Sequence, residues 1–493
     1  MWGRCFSTVA LLAIVLAIGL DRRLHSNLAN LPHPNQPHGP RQADGATAVK
    51  PVAIPRVNLD AVVRGPRPSS PVQQRHSSAT VPANLDDHSS IKTVPGMVAS
   101  PASAEQHASN EPLSRVAELM VCHLDSRGPY GAADVLQECI SRAPAYSSIE
   151  IPPGAYVFRR QVVVATPLTI RTAGSAGTSL SCSSTPAACA TFVAAADFTD
   201  PWGIILVTST NNVSLEHIVI DGDRQARLAS RSARACLDGR NIFGFNASVL
   251  YCGHCGVADV LSRNALCGTG MAWVGANATI RNSTFQANGD GVRSSLWADG
   301  LTVIYAPQSE ISDNQFIDNT DVALIVGYGV ASRIERNAVH QRTQASFAGL
   351  MLHNFSSNDL STGGDFRGAV VAHNTIDCGA QLCVFGIQVG PRPWNAKLIT
   401  IGGDLHDNEV RGAKVGINVD GAGILRAPVA IHDNIVSAVP DGVYFSDCSR
   451  PIATGSINIS PTSVVDREGE NTPTGAHLSD LCQLSSTLTA EDQ

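Results

Sequence analysis

Aromatic residues make up only 5% of the 493 positions and charged residues only 16%. So little aromatic bulk argues against a bulky-cored α/β enzyme. Lysine is almost missing (Lys50, Lys92, Lys397 and Lys414), and that by itself says little about function. The formal charge is −7, which argues against a nucleic-acid partner. There is no dense leucine ladder, so a leucine-rich repeat is excluded. Nor is there a long apolar stretch: the uncharged run from Cys5 to Leu20 is marginal for a bilayer, which needs roughly 17–25 residues. What is present is a 43% hydrophobic fraction, too high for wholesale disorder, together with 42 glycines. That combination suggests many short repeated elements.

The N-terminus, residues 1–23, reads as a signal peptide or signal anchor: Arg4 precedes the apolar run, and Asp21-Arg22-Arg23 follows it. No clear small-x-small cleavage site follows, so N-terminal membrane anchoring stays open. Residues 24–115 contain no cysteine and many prolines (Pro32, Pro34, Pro37, Pro40, Pro66, Pro68), with no sustained hydrophobic period. They read as a disordered, semi-extended linker. Residues 1–115 carry eleven Lys/Arg against seven Asp/Glu, which leaves 24 against 35 in the body. An acidic body repels a polyanion unless cations are focused in one cleft.

Thirteen cysteines are many for a reducing compartment. Setting aside Cys5, twelve remain between Cys122 and Cys482, an even number that fits disulfides and export. Cys122/Cys139, Cys182/Cys189 and Cys378/Cys383 are close in sequence. Cys252-Gly-His-Cys255 matches the redox centre of protein disulfide isomerases letter for letter, yet it sits between strand-like segments rather than at a helix start. With Cys236 and Cys267 it could instead hold zinc. Structural disulfides are the favoured reading, with no metal and no cofactor expected.

The body opens with a helix pattern over residues 131–142, where Val135, Leu136, Cys139 and Ile140 share a face. A strand pattern follows in Ser148-Ile-Glu-Ile-Pro-Pro-Gly-Ala-Tyr-Val-Phe158. From there the chain repeats. An apolar residue, an Asn and a second apolar residue recur as Ile311…Asn314…Phe316, Ile334…Asn337…Val339 and Val371…Asn374…Ile376. Leu405…Asn408…Val410 and Ile431…Asn434…Val436 continue the series, and Ile280…Asn282…Phe285 is taken as an earlier member. Strands such as Gly349-Leu-Met-Leu, Gly386-Ile-Gln-Val and Gly416-Ile-Asn-Val fall later in the same coils. Asn314 and Asn337 are 23 positions apart, and the longer interval from Asn337 to Asn374 implies an inserted loop. Units this short must stack to bury a face. The pattern predicts an all-β, right-handed parallel β-helix over residues 116–460, with a C-terminal cap or tail at 461–493. In it each Asn amide bonds the Asn one coil above.

The capping helix with its Ile149-Glu-Ile-Pro-Pro-Gly-Ala-Tyr-Val-Phe158 strand motif, followed by Asn-bearing coils, resembles the pectate-lyase-like superfamily across roughly residues 116–450. The resemblance implies a right-handed β-helix. It does not fix a reaction, because the superfamily holds hydrolases, lyases, epimerases and non-catalytic adhesins.

Acids cluster between residues 286 and 330. Asp299 and Asp321 are 22 residues apart, about one coil. That spacing would align Leu301 with Ala323 and place the two carboxylates on adjacent rungs. Carboxylates that close cannot both ionise freely, so one should hold its proton, as a general acid requires. Paired carboxylates are the minimal equipment of a glycosidase. Asp290 is a third catalytic candidate, although Asp-Gly, as in Asp290-Gly and Asp299-Gly, is also the commonest turn dipeptide. Asn319-Thr-Asp321 resembles the Asn-Thr-Asp triplet of polygalacturonase-like hydrolases. Their later Asp-Asp and Gly-His-Gly elements have no counterpart at the expected distances, so only Asp321 carries over. Arg293, Arg342 and His353 are candidates for binding sugar hydroxyls or a uronate, and Trp297, Tyr305, Tyr328 and Trp394 for stacking on pyranose rings. The expected function is an exported glycoside hydrolase acting on a polysaccharide. A polysaccharide lyase or uronate C5-epimerase is the alternative, and a non-catalytic surface protein the third reading. Six Asn-x-Ser/Thr triplets occur (Asn212, Asn246, Asn277, Asn282, Asn354 and Asn458), and Asn282, taken as a repeat member, is expected to be sequestered.

Overall fold

The structure is a computed structural model, and it describes residues 118–125, 130–237, 244–291, 296–355, 363–391, 398–421, 429–439, 443–447 and 464–466. The N-terminal signal-like segment, the whole linker and most of the C-terminal tail lie outside these residues. Among the described residues no helix is long and apolar enough to cross a membrane.

Each coil supplies one short strand to each of three parallel sheets, with 11, 10 and 11 strands. One coil runs through Glu310–Ser312, Gln315–Ile317 and Val322–Val326 before the chain returns to the first sheet at Arg333–Glu335. The expected capping helix is present as Ala132–Arg142, burying Ala132, Ala133, Leu136 and Ile140. The Pro-Pro-Gly motif is a corner: Ser147–Ile151 and Gly154–Phe158 on either side of it join different eleven-stranded sheets.

The Asn series forms the expected ladder. Asn314 Nδ2 donates to Asn337 Oδ1 at 3.0 Å, and the same bond runs from Asn337 to Asn374, Asn374 to Asn408 and Asn408 to Asn434. The residue before each ladder Asn turns the corner with positive φ: Asp313, Arg336, His373, Asp407 and Asp433 lie between 51° and 58°. Asn282 departs from expectation. It occupies this turn slot with φ 51° and is exposed. The ladder slot falls to Ser283, whose backbone N–H donates to Asn314 Oδ1 at 3.0 Å. A second ladder, not expected, links Asn288 Nδ2 to Asn319 Oδ1 at 2.8 Å.

Five disulfides join Cys122–Cys139, Cys182–Cys189, Cys236–Cys267, Cys252–Cys255 and Cys378–Cys383. The three short-range pairs agree with the sequence reading. The four cysteines that could have gathered round zinc are instead joined in two pairs. Cys448 and Cys482 lie outside the described residues.

Candidate active site on the ten-stranded sheet

Alternation along a strand sends one set of side chains into the core and the other outward. In the ten-stranded sheet Leu301, Leu324, Leu350, Ile387 and Ile417 stack inward as one row. The next residue in each strand forms an outward row: Thr302, Ile325, Met351, Gln388 and Asn418. Gly300 and Ala323, just before the inward row, also face the core. A Cβ added at Gly300 would lie 2.5 Å from Ala323 O and 2.9 Å from Phe316 Cδ1. Two consecutive inward positions therefore separate Thr302 from the next outward residue, Asp299.

Asp299 sits near the start of the strand Ala298–Tyr305 and is buried. Thr302 Oγ1 donates to its Oδ2 at 2.6 Å, and the backbone N–H of Val322 donates to its Oδ1 at 3.0 Å. Asp321 ends the corner just before the strand Val322–Val326 and is also buried. The register is one residue away from the expected one. Leu301 pairs with Leu324, so the rung neighbour of Asp299 is Val322 rather than Asp321. The two acids are nevertheless adjacent in the fold, since the amide that binds Asp299 is the one immediately following Asp321.

The Asn319-Thr320-Asp321 triplet divides its work. Asn319 belongs to the second ladder and also donates to Phe285 O at 2.9 Å. Thr320 Oγ1 donates to Asn288 O and accepts from the N–H of Ala298, both at 3.1 Å. These bonds fix the corner from which Asp321 projects. Asp290 lies at the preceding coil's version of this corner, where its backbone N–H donates to Leu296 O at 2.7 Å. Trp297 is half-buried over Gly291, close enough that a Cβ there would fall 2.4 Å from the indole ring. Arg293 and Trp394 lie outside the described residues.

The other candidates are placed elsewhere. Tyr305 and Tyr328 stack on each other, with ring centroids 4.6 Å apart, where the ten-stranded sheet gives way to the next corner. His353 follows the strand Ser346–Leu352 at that same far edge, buried and edge-on to Phe355 at 4.4 Å. It stands two rungs from Asp299, roughly 10 Å along the axis. Arg342 lies on the corner one coil beyond Asp321, where its backbone N–H donates to Asp318 Oδ1 at 2.7 Å and its guanidinium pairs with Asp377 at 2.8 Å. Sequence reasoning missed Thr302, Gln388 and Asn418. Their signal lies in the repeated Gly-apolar-x-apolar strands, where x varies while the residues around it stay apolar.

No protein-family model matches the sequence, and no curated protein matches it. Solved structures do. The A-module of a mannuronan C-5 epimerase from Azotobacter vinelandii is 13% identical over 71% of this chain and 88% of its own, with a TM-score of 0.43. A family 28 exopolygalacturonase from Yersinia enterocolitica is 12% identical over 67% of this chain and 66% of its own, at 0.41. An endo-xylogalacturonan hydrolase from Aspergillus tubingensis is 14% identical over 72% and 96%, also at 0.41. With its three parallel sheets and stacked Asn corners, the chain is a right-handed parallel β-helix.

Proposed function

We propose that the protein is an exported carbohydrate-active enzyme, a glycoside hydrolase that cleaves a polysaccharide with Asp299 and Asp321. The observation that carries this reading is a pair of buried carboxylates, one on a strand and one at the adjoining corner, linked through the Val322 amide. Thr302 and the Val322 amide hold both oxygens of Asp299 in place, and the two acids divide the roles of proton donor and of base or nucleophile. Asp290 remains a third acid on the same side of the sheet. Elimination or epimerisation would need a base near the sugar α-proton and a cation on the uronate. His353 is at the far edge of the sheet, and among the described residues no strand of this sheet carries an Arg or Lys. Export is supported by the five disulfides, which need an oxidising compartment to persist.

A screen of polysaccharides, read both by reducing-end release and by the ultraviolet absorbance of unsaturated products, tests the reading. New reducing ends without unsaturation are expected. Unsaturated products would assign a lyase, and neither signal with any polymer would leave an epimerase or a binding protein.

A further inference from the structure

Between the strands Ile218–Asp221 and Ala247–Gly253 the chain makes a detour through residues 222–246, whereas the next coil turns the same corner with residues 264–267 alone. The detour opens with two short helices, Arg224–Arg227 and Arg231–Leu237, and is tied down at both ends. At its foot the buried Arg227 guanidinium donates to Gly222 O at 3.2 Å and to Phe198 O at 3.3 Å. Further along, Cys236 is disulfide-bonded to Cys267, and the Leu266 N–H donates to Gly244 O at 3.0 Å.

The detour reaches toward the acids. Leu228, Ala233 and Cys236 pack in one cluster with Leu266, Cys267 and Leu296. Leu296 is bridged to Asp290, and Arg224 Nη1 donates to Ala287 O on the same corner. The detour therefore leans across one whole coil to meet the coil that carries Asp290 and Asp299. It closes the sheet as well. Phe245, near its end, packs with Trp202 against Leu250, Ala272 and Val274, the buried outward side chains of the two strands before that of Asp299. Ala272 pairs with Thr302, which binds Asp299. The outward face is thus filled up to the rung beside Asp299, roughly 5 Å away.

On the other side of the acids this corner is plain. The coils after Asp321 cross it in residues 341–345, 378–382 and 412–414, with no detour. Arg342, Thr343, Gly379 and Ala380 are exposed along it. The sheet beside them is filled by Val322, Ile325, Met351 and Phe385, all buried, so it offers a ligand no surface. What lies open next to the acids is the corner, and on one side only.

A site walled at one end and open at the other takes a polymer by its terminus, because an internal bond reaches the acids only if the chain passes through the wall. We propose that the enzyme is exo-acting: the detour at 222–246 is an end wall, the polymer runs out along the 341–345 corner, and each turnover removes a short saccharide from the chain end. This rests on the hydrolase reading above. The chemistry is that of any glycoside hydrolysis. The glycosidic C–O bond breaks, the leaving oxygen takes a proton, and the oxygen of water bonds the anomeric carbon. Only the position of that bond in the polymer is restricted.

The test follows the polysaccharide that responds in the screen through early hydrolysis by the full chain, with size-exclusion chromatography beside reducing-end release. One short saccharide of constant length is expected from the first time point, while the remaining polymer shortens gradually. A ladder of intermediate fragments, or a mean polymer size that collapses while few reducing ends have formed, overturns the inference. If that ladder is lost in Asp299→Asn and Asp321→Asn, the hydrolase reading survives and only the end wall falls. Unsaturated products, or no cleavage of any polymer, overturn both. A variant then removes the wall: residues 224–243 are replaced by a Gly-Ser link, with Cys267→Ser so that no thiol is left unpaired. Intermediate fragments among its products support the end wall, and the same single short product as wild type overturns it. Where that variant does not fold, the wild-type product series alone decides.

Discussion

The corner that carries the Asn ladder and the outward face of the ten-stranded sheet are built from the same coils, yet they follow opposite rules. At the corner one chemistry repeats: Asn314, Asn337, Asn374, Asn408 and Asn434 make the same bonds rung after rung. On the sheet face each rung differs, from Thr302 to Ile325, Met351, Gln388 and Asn418. A buried amide must be satisfied in every coil, so repetition marks a structural duty. An outward position carries no such demand, so its variation leaves room for a site. The acids sit where the repeat breaks.

The contrast predicts a double dissociation. The largest effect is expected for Asp299→Asn and Asp321→Asn, which keep size and most hydrogen bonding while removing the proton chemistry. Each should lower the hydrolysis rate by at least ~10²-fold, with little change in Tm. Wild-type rates in both variants would mean that these acids are only turn and corner residues.

Asn374→Ala should do the reverse. Asn374 Nδ2 donates to Asn408 Oδ1 and Ile334 O, while its Oδ1 accepts from the N–H and Nδ2 of Asn337. Truncation strands several buried partners, for a loss of roughly 3 kcal/mol, with the rate well below Tm unchanged. Chemical denaturation beside a rate assay checks both halves, and an unchanged unfolding midpoint would break the ladder side of the comparison.

The corner was the more legible region, and the reason is physical. A ladder forces the same residue into the same slot, so Asn spacing revealed the coils, and the long interval after Asn337 correctly implied an insertion between Leu352 and Val370. Where the slot was filled differently the reading slipped by one. Asn282 looked like a ladder member, but Asn also suits the left-handed turn slot just before the ladder, and Ser283 took its place. The same one-residue error affected the acids. Because Gly300 and Leu301 both face inward, an alignment on apolar residues matches Leu301 to Ala323 as readily as to Leu324. The Gly-Leu-Thr-Val strand marks Thr302 as a variable position, but only that doubled inward step sets it beside Asp299. The pairing of Arg342 with Asp377 was not legible either, because only the fold brings them together.

A smaller effect is expected from the histidines near the end of the ladder corner. His406 and His432 stack with centroids 5.1 Å apart, and His432 bonds Asp433 and Asp404, both at 2.8 Å. The hydrogen bond His432 donates to Asp433, with that to Asp404 beside it, raises the His432 pKa above the ordinary histidine value. A group whose folded pKa is raised stabilises most below its unfolded value, near 6.5, and that contribution fades as pH climbs through the folded value. The Tm difference between wild type and His432→Asn should therefore be largest below about pH 6.5 and shrink as the pH rises beyond it. A difference that stays constant across this range would show that the ring acts by packing alone.

The central claim is that water, activated at Asp299 and Asp321, is added across a glycosidic bond. Its most direct test is cleavage of the responsive polysaccharide in ¹⁸O-enriched water, followed by mass spectrometry of the fragments. One ¹⁸O at each new reducing end in the wild type, with the yield collapsing in Asp321→Asn, is the predicted result. Fragments that carry a double bond and no label, or labelled fragments formed equally well by Asp321→Asn, would contradict it.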